Sequence, residues 1–354
     1  MSKTGHWEVW ASLNYNKLEL LNMNIRGILV VLLAVLFASC DREVAPLTPI
    51  NTEISLRADV SSLESTRALS GDVYKGTSAA GMEAAIWFST EIGVYPDNDA
   101  PAPPTYLPYR SVTKYDAGNP TTIYINPTTK TEALLYPIGD VDNEAYVYCV
   151  GMYPSSNWVA DVDNGAVEHD INGVDDVMFA EQLRGSWQNP FATQHYEHQL
   201  TWLKLEMRAT DPDVSIHWGQ IQNIAVVSPQ SKVRIEFAND INDSSVVSYV
   251  GVARDIVTVN KPTDIGVTVQ SAGSILCAPA TSYKIIVSTD EVASREVVAV
   301  LTDEVGNAIT DPMQTVGKLF IINLYFTPFD DIDATCSLVP WNEQNVDIKQ
   351  GNNL

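Results

Sequence analysis

Short apolar runs return about every ten residues through the second half of the chain, and this spacing constrains the fold most. The runs occupy residues 221–227, 233–237, 246–250, 255–259, 267–269, 283–287, 297–301 and 318–325, with Asn, Asp, Gly and Pro between them. They are rich in β-branched and aromatic side chains, which suit a pleated surface. Strands this short, separated by turn residues, point to β-sandwiches. The first half reads the same way. Ile54, Leu56, Ala58 and Val60 alternate with polar neighbours, the period of a half-buried strand. Further strand material lies at 85–96, 121–125, 134–137, 145–153, 177–180 and 198–208, with an acidic loop over 161–176. No long helical period appears outside residues 23–40. A chain of 354 residues exceeds what one core usually serves, about 250–300 residues. The turn cluster Asp211-Pro212-Asp213 is the expected boundary. The expectation is an all-β protein of two tandem, mostly antiparallel β-sandwiches, over 68–211 and 212–354.

The N-terminal region carries an export signal. Residues 23–40 read MNIRGILVVLLAVLFASC, with basic Arg26 ahead of an unbroken apolar run over 28–38. That run is about half of the roughly 20 residues a membrane-spanning helix needs. It therefore reads as a signal peptide rather than a span. Ala38-Ser39-Cys40 looks like a lipobox, although Phe37 is bulkier than the usual residue there; the alternative is a plain secretory signal with a coincidental cysteine. Cleavage before Cys40 would leave its thiol to carry lipid and hold the chain to the outer membrane. Residues 1–22 are mixed and polar, with Glu8, Trp7 and Trp10, unlike a basic leader. Met23 is the expected start, and residues 1–39 are expected to be absent from the exported protein. Residues 40–67 then form a tether and a first strand.

Composition excludes several functions. With 44 acidic against 21 basic residues, the formal charge is −23. Such a surface repels nucleic acid and anionic membranes; its simplest role is solubility. Cys149, Cys277 and Cys336 remain after Cys40, an odd number. Cys149 sits in an apolar run and reads as core. Cys277 and Cys336 can form a bridge in an oxidising compartment, but nothing in the sequence fixes connectivity. There is no G-x-S-x-G elbow and no H-E-x-x-H metal motif. His195 and His198 would face opposite sides of a strand and do not make a metal site. The stretch Asp161-Val162-Asp163-Asn164-Gly165 faintly suggests a calcium loop. Asn172, where such a loop needs a glutamate, argues against it. Trp158 and Trp187 sit in loop-like contexts and can either stack on sugar rings or fill sandwich edges. No catalytic residue, metal or soluble cofactor is implied.

Several stretches together resemble the fimbrillin family, the lipoprotein precursors of type V pili. They are the lipobox at Cys40, Ser65-Thr66-Arg67-Ala68, Glu91-Ile92-Gly93-Val94-Tyr95, Leu134-Leu135-Tyr136-Pro137 with Tyr146-Val147-Tyr148 and Tyr153-Pro154, Tyr196-Glu197-His198-Gln199-Leu200, and Val339-Pro340-Trp341. Asp330, Asp331, Asp333 and Cys336 interrupt the last strand region, a departure from the family. The resemblance implies transthyretin-like sandwiches and a structural or accessory subunit of a cell-surface fimbria, contributing to adhesion. It implies cleavage by a trypsin-like protease between Arg67 and Ala68, loss of the strand around 54–60, and filling of the resulting groove by another subunit's strand. The donor-strand candidate is residues 345–349, with Val346 and Ile348 as its two apolar pegs; the same stretch also reads as a frayed terminus. The alternative is an uncleaved surface lipoprotein that binds glycans through loop aromatics.

Overall fold

A computed structural model describes residues 52–60, 79–95, 109–116, 119–125, 129–130, 132–138, 144–161, 164–328 and 331–339. The chain is all-β. The first alternating run gives β1 (Ser55–Leu56) and β2 (Ala58–Val60). Next come β3 (Glu83–Ser89), β4 (Tyr109–Lys114), β5 (Thr121–Thr122), β6 (Val147–Tyr153), β7 (Trp158–Asp161) and β8 (Ala166–Asp170). β9 (Met178–Gly185), β10 (Gln194–His198) and β11 (Thr201–Ala209) lead to one short helix, α1 (Pro212–Trp218). Beyond it lie β12 (Gln220–Ser228), β13 (Lys232–Glu236), β14 (Val246–Val250), β15 (Arg254–Val259) and β16 (Thr263–Asp264). The last strands are β17 (Gln270–Cys277), β18 (Ser282–Thr289), β19 (Arg295–Val300), β20 (Leu319–Phe326) and β21 (Ile332–Val339).

The strands assemble into a six-stranded sheet, β2-β10-β9-β6-β3-β4, and three other large sheets. These are β17-β11-β20-β21, β15-β12-β18-β19 with β16 on β12, and β14-β13-β8-β7. β1 and β5 form a small ribbon of their own. β11 pairs with β20 in parallel, and β2 with β10 in parallel. The described residues all fall within one compact unit, 50–354. The boundary cluster at Asp211 is where α1 begins; β11 before it pairs with β17 and β20 after it.

The six-stranded sheet is buried on both faces. Along β3, Ala85 and Trp87 enter one core cluster, and Ala84, Ile86 and Phe88 enter the other. This explains the unbroken apolar run in that strand, where a sheet wet on one face would alternate. On the first face Trp87 and Tyr95 meet Phe237, at ring distances of 6.1 and 4.8 Å. That same cluster continues between β11/β20 and β12/β18, where Phe320, Ile322, Leu324 and Phe326 of β20 are fully buried at every second position. The second face is a separate cluster closed by the first strand segment.

Several expectations need correction. The run over 85–96 ends as a strand at Ser89; Gly93, at φ 69°, turns the chain back. The expected acidic loop over 161–176 contains β8, which buries Ala166, Val167 and His169. Asp211-Pro212-Asp213 is not a plain turn. Asp211 caps α1 by accepting from the backbone N–H groups of Asp213 and Val214, with Pro212 in the first helical turn, as N-cap and proline preferences allow. Residues 267–269 form no strand, and the strand lies at β17 instead. Asp333 lies within β21 without breaking it: over 332–337 exposed positions alternate with buried or half-buried ones, against β20, while Asp330 lies outside the described residues. Cys277 and Cys336 are free thiols. They lie on β17 and β21, the opposite edges of one sheet. Three strand spacings of about 4.8 Å separate those edges, beyond the roughly 7 Å limit for a bridge.

Candidate functional site

The first strand segment and the cluster it covers form the most distinctive site. The segment changes partners halfway. Thr52 O accepts from Tyr136 N (3.0 Å), Ile54 N donates to Leu134 O (2.7 Å), and Ile54 O accepts from Ile123 N (2.9 Å). β1 then pairs antiparallel with β5, Leu56 facing Thr121. At Arg57 the chain crosses to the main sheet, where Arg57 O accepts from Gln194 N (2.8 Å). β2 follows, parallel to β10, with Ala58, Asp59 and Val60 beside Gln194, His195 and Tyr196. These nine residues therefore link the small ribbon to the edge of the six-stranded sheet.

The alternation sorts the side chains. Ile54 and Leu56 are 0% exposed and Val60 is 3%. Ala58 packs beside them on the same face. Fully burying one such aliphatic side chain stabilises by about 1.5–3 kcal/mol. Glu53 and Arg57 point to solvent. Asp59 pairs with Nδ1 of His195, both partly exposed at the rim. The floor beneath is built from Ile86 and Phe88 of β3, Cys149 of β6, Met178 and Ala180 of β9, and Tyr196 of β10.

A polar network lies inside this apolar cluster. Tyr115 Oη donates to Gln194 Oε1 (2.6 Å) and lies 3.0 Å from Tyr196 Oη. Gln194 Nε2 donates to Cys149 Sγ at 3.6 Å. Tyr196 and Gln194 are fully buried. Burial pushes the Tyr115 and Tyr196 hydroxyls and the Cys149 thiol well above their ordinary pKa values, so all three stay neutral. Gly151 makes this packing feasible. A Cβ there would lie 2.2 Å from Tyr196 Oη and 2.6 Å from its Cζ.

The other residues singled out by sequence resolve as follows. Cys40, Arg67, Ala68, Val346 and Ile348 lie outside the described residues. His195 and His198 do face opposite ways: His198 is buried and pairs with Asp176 at 2.8 Å. Among the described residues no group of three or more His, Cys, Asp or Glu side chains is placed to hold a metal. Asp161 accepts from Asn164 Nδ2 and from Arg234 Nη1 (2.8 Å), and these bonds hold its carboxyl below the usual range. Trp158 is no stacking platform. It is buried, and its indole N–H donates to Pro154 O (2.8 Å). Trp187 is half-buried and packs against the cluster below the first strand.

Sequence reasoning missed Tyr115, Gln194 and the parallel partner of the first strand. Gln194, Tyr196 and His198 alternate as buried positions on β10, a period of 2 readable in Q-H-Y-E-H. Nothing local ties that strand to residues 58–60.

No protein-family model and no curated protein sequence matches the chain. Similar solved structures include a proposed cell adhesion protein of Bacteroides uniformis, 13% identical, with a TM-score of 0.47 over 82% of this chain and 99% of that one. One from Bacteroides ovatus is 16% identical, with a TM-score of 0.47 over 84% and 100%. A proposed adhesin of Bacteroides thetaiotaomicron is 10% identical, with a TM-score of 0.43 over 83% and 98%.

Proposed function

We propose that this chain is a structural or accessory subunit of a cell-surface fimbria that contributes to adhesion. It is exported as a lipoprotein through Cys40 and reaches the outer membrane. It is cut between Arg67 and Ala68, and joins its neighbours by strand exchange. The observation that supports this reading is the first strand segment. It precedes Arg67, seals Ile54, Leu56 and Val60 into a core cluster, and pairs at a sheet edge. Removing it would leave apolar pockets and unpaired backbone groups, a template for another strand. Val346 and Ile348 are the pegs with which this chain would reach a neighbour.

Intact mass and N-terminal sequencing of the protein from its host's surface test the proposal. The expected product starts at Ala68 and carries no lipid. A lipidated product starting at Cys40 would refute the strand-exchanging subunit.

A further inference from the structure

The first strand segment is also a cast of whatever replaces it. Its buried positions read Ile54, Leu56, Ala58 and Val60: large, large, small, large at every second residue. The narrow position is Ala58, opposite Gln194. The pocket of Val60 lies opposite Tyr196, whose ring is fully buried and is linked through Tyr115 to Gln194. Those polar groups already serve one another and cannot readily take on a new polar side chain. At the rim, His195 is 66% exposed in its side chain and pairs with the acidic Asp59. A strand that fits should therefore carry apolar residues at its first, third and seventh positions. It should carry a small residue at the fifth and a carboxylate at the sixth, and run parallel to β10.

The chain's own tail does not have this pattern. Setting Val346 and Ile348 at the places of Ile54 and Leu56 puts Gln350 at Ala58, Gly351 at Asp59 and Asn352 at Val60. No other register of residues 340–354, in either direction, supplies three large apolar side chains at this spacing. Resting on the strand-exchange reading above, we infer that this groove does not take the tail of a second copy. Its partner is a different protein chain, presenting an extended strand of the stated pattern. The joint made at this groove is therefore heterotypic, and the chain does not polymerise with itself through residues 345–349.

The test uses the full chain cut at Arg67 by trypsin, with the first strand left bound. Exchange is followed by fluorescence polarisation with a labelled peptide copying residues 50–62. Unlabelled competitors are the same peptide, its Val60→Asn variant, and a peptide of residues 342–354. The native copy should displace the probe, and both others should compete at least about tenfold more weakly, the cost of burying one unsatisfied amide. Equal competition by the tail peptide would overturn the inference while leaving strand exchange intact. Failure of the native copy to bind at all would overturn both. If Arg67 resists cleavage, the processing reading fails. A sequence-specific protease site inserted beside Arg67 then allows the same competition to be measured.

Discussion

Leu56→Ala should open the first strand segment well before the rest of the molecule unfolds. Leu56 is 0% exposed and belongs to the cluster that includes Cys149. Truncating such a leucine costs about 3–5 kcal/mol, from lost transfer energy and the cavity left behind. The segment also ends a sheet, through a three-residue parallel pairing, so its opening should precede global unfolding. A loss of about 3 kcal/mol from that local opening corresponds to roughly 100-fold faster exposure of what lies beneath. Cys149 is the reporter, being fully buried under the segment's cluster. Cys277 is the control, equally buried but in the other cluster. In a chain carrying Cys40→Ser and Cys336→Ser, thiol labelling under native conditions is followed by mass spectrometry. Leu56→Ala should speed labelling of Cys149 about 100-fold, and in both proteins Cys149 should label faster than Cys277, because opening of the segment precedes global unfolding. Equal labelling rates at the two sites, or no acceleration at Cys149, would refute the idea that the segment is a separable cover.

Two further outcomes concern Gly151, beneath the first strand segment, and His169 on β8. Gly151→Ala places a methyl 2.2 Å from Tyr196 Oη, on a ring that is fully buried, so urea unfolding should show a loss of about 1–3 kcal/mol, and a change below about 0.5 kcal/mol would sink the argument. His169 is buried, its Nδ1 lies 2.9 Å from Asp170 O, and burial lowers its pKa below the ordinary value of 6.5. The unfolded chain therefore takes up the proton first as pH falls. The neutral ring's stabilisation is complete above about pH 6.5 and is lost as pH drops toward the folded-state value. His169→Gln should flatten stability between about pH 7 and 5.5, above the range where Asp161 and Glu168 titrate; unchanged slopes in the two proteins would exclude His169 as the source.

The sequence displayed this fold unevenly, for physical reasons. Alternation exposed β20 and the first strand because each has one wet and one dry side. β3 was visible as apolar but not as a two-faced strand, since covering both faces erases the period. β8 was hidden by Glu168, His169 and Asp170, polar residues that the strand tolerates because Glu168 and Asp170 keep access to solvent and the buried His169 ring lies 2.9 Å from Asp170 O. α1 was legible after all: Asp211 and Pro212 are its cap and first turn, but a seven-residue helix shows too little periodicity to compete with a turn reading. At the candidate site, the pegs could be read from residues 54–60. Their pockets could not, because they come from β3, β6, β9 and β10, up to well over a hundred residues away. Only chain topology brings those side chains beneath the first strand.

The parallel docking of β2 on β10 has a mechanical side. A pull on the chain at Thr52 runs along the axis of the segment rather than across it. The bonds from Ala58–Val60 to Gln194–Tyr196, together with the bond between Arg57 O and Gln194 N, would share that load in shear instead of parting one after another. The crossing at Arg57 adds the ribbon bonds of Thr52 and Ile54 ahead of them. An anchored molecule would thus hold against tension along this strand while remaining open to peeling from the side. Its resistance under flow would be governed by the rate of segment release rather than by equilibrium stability.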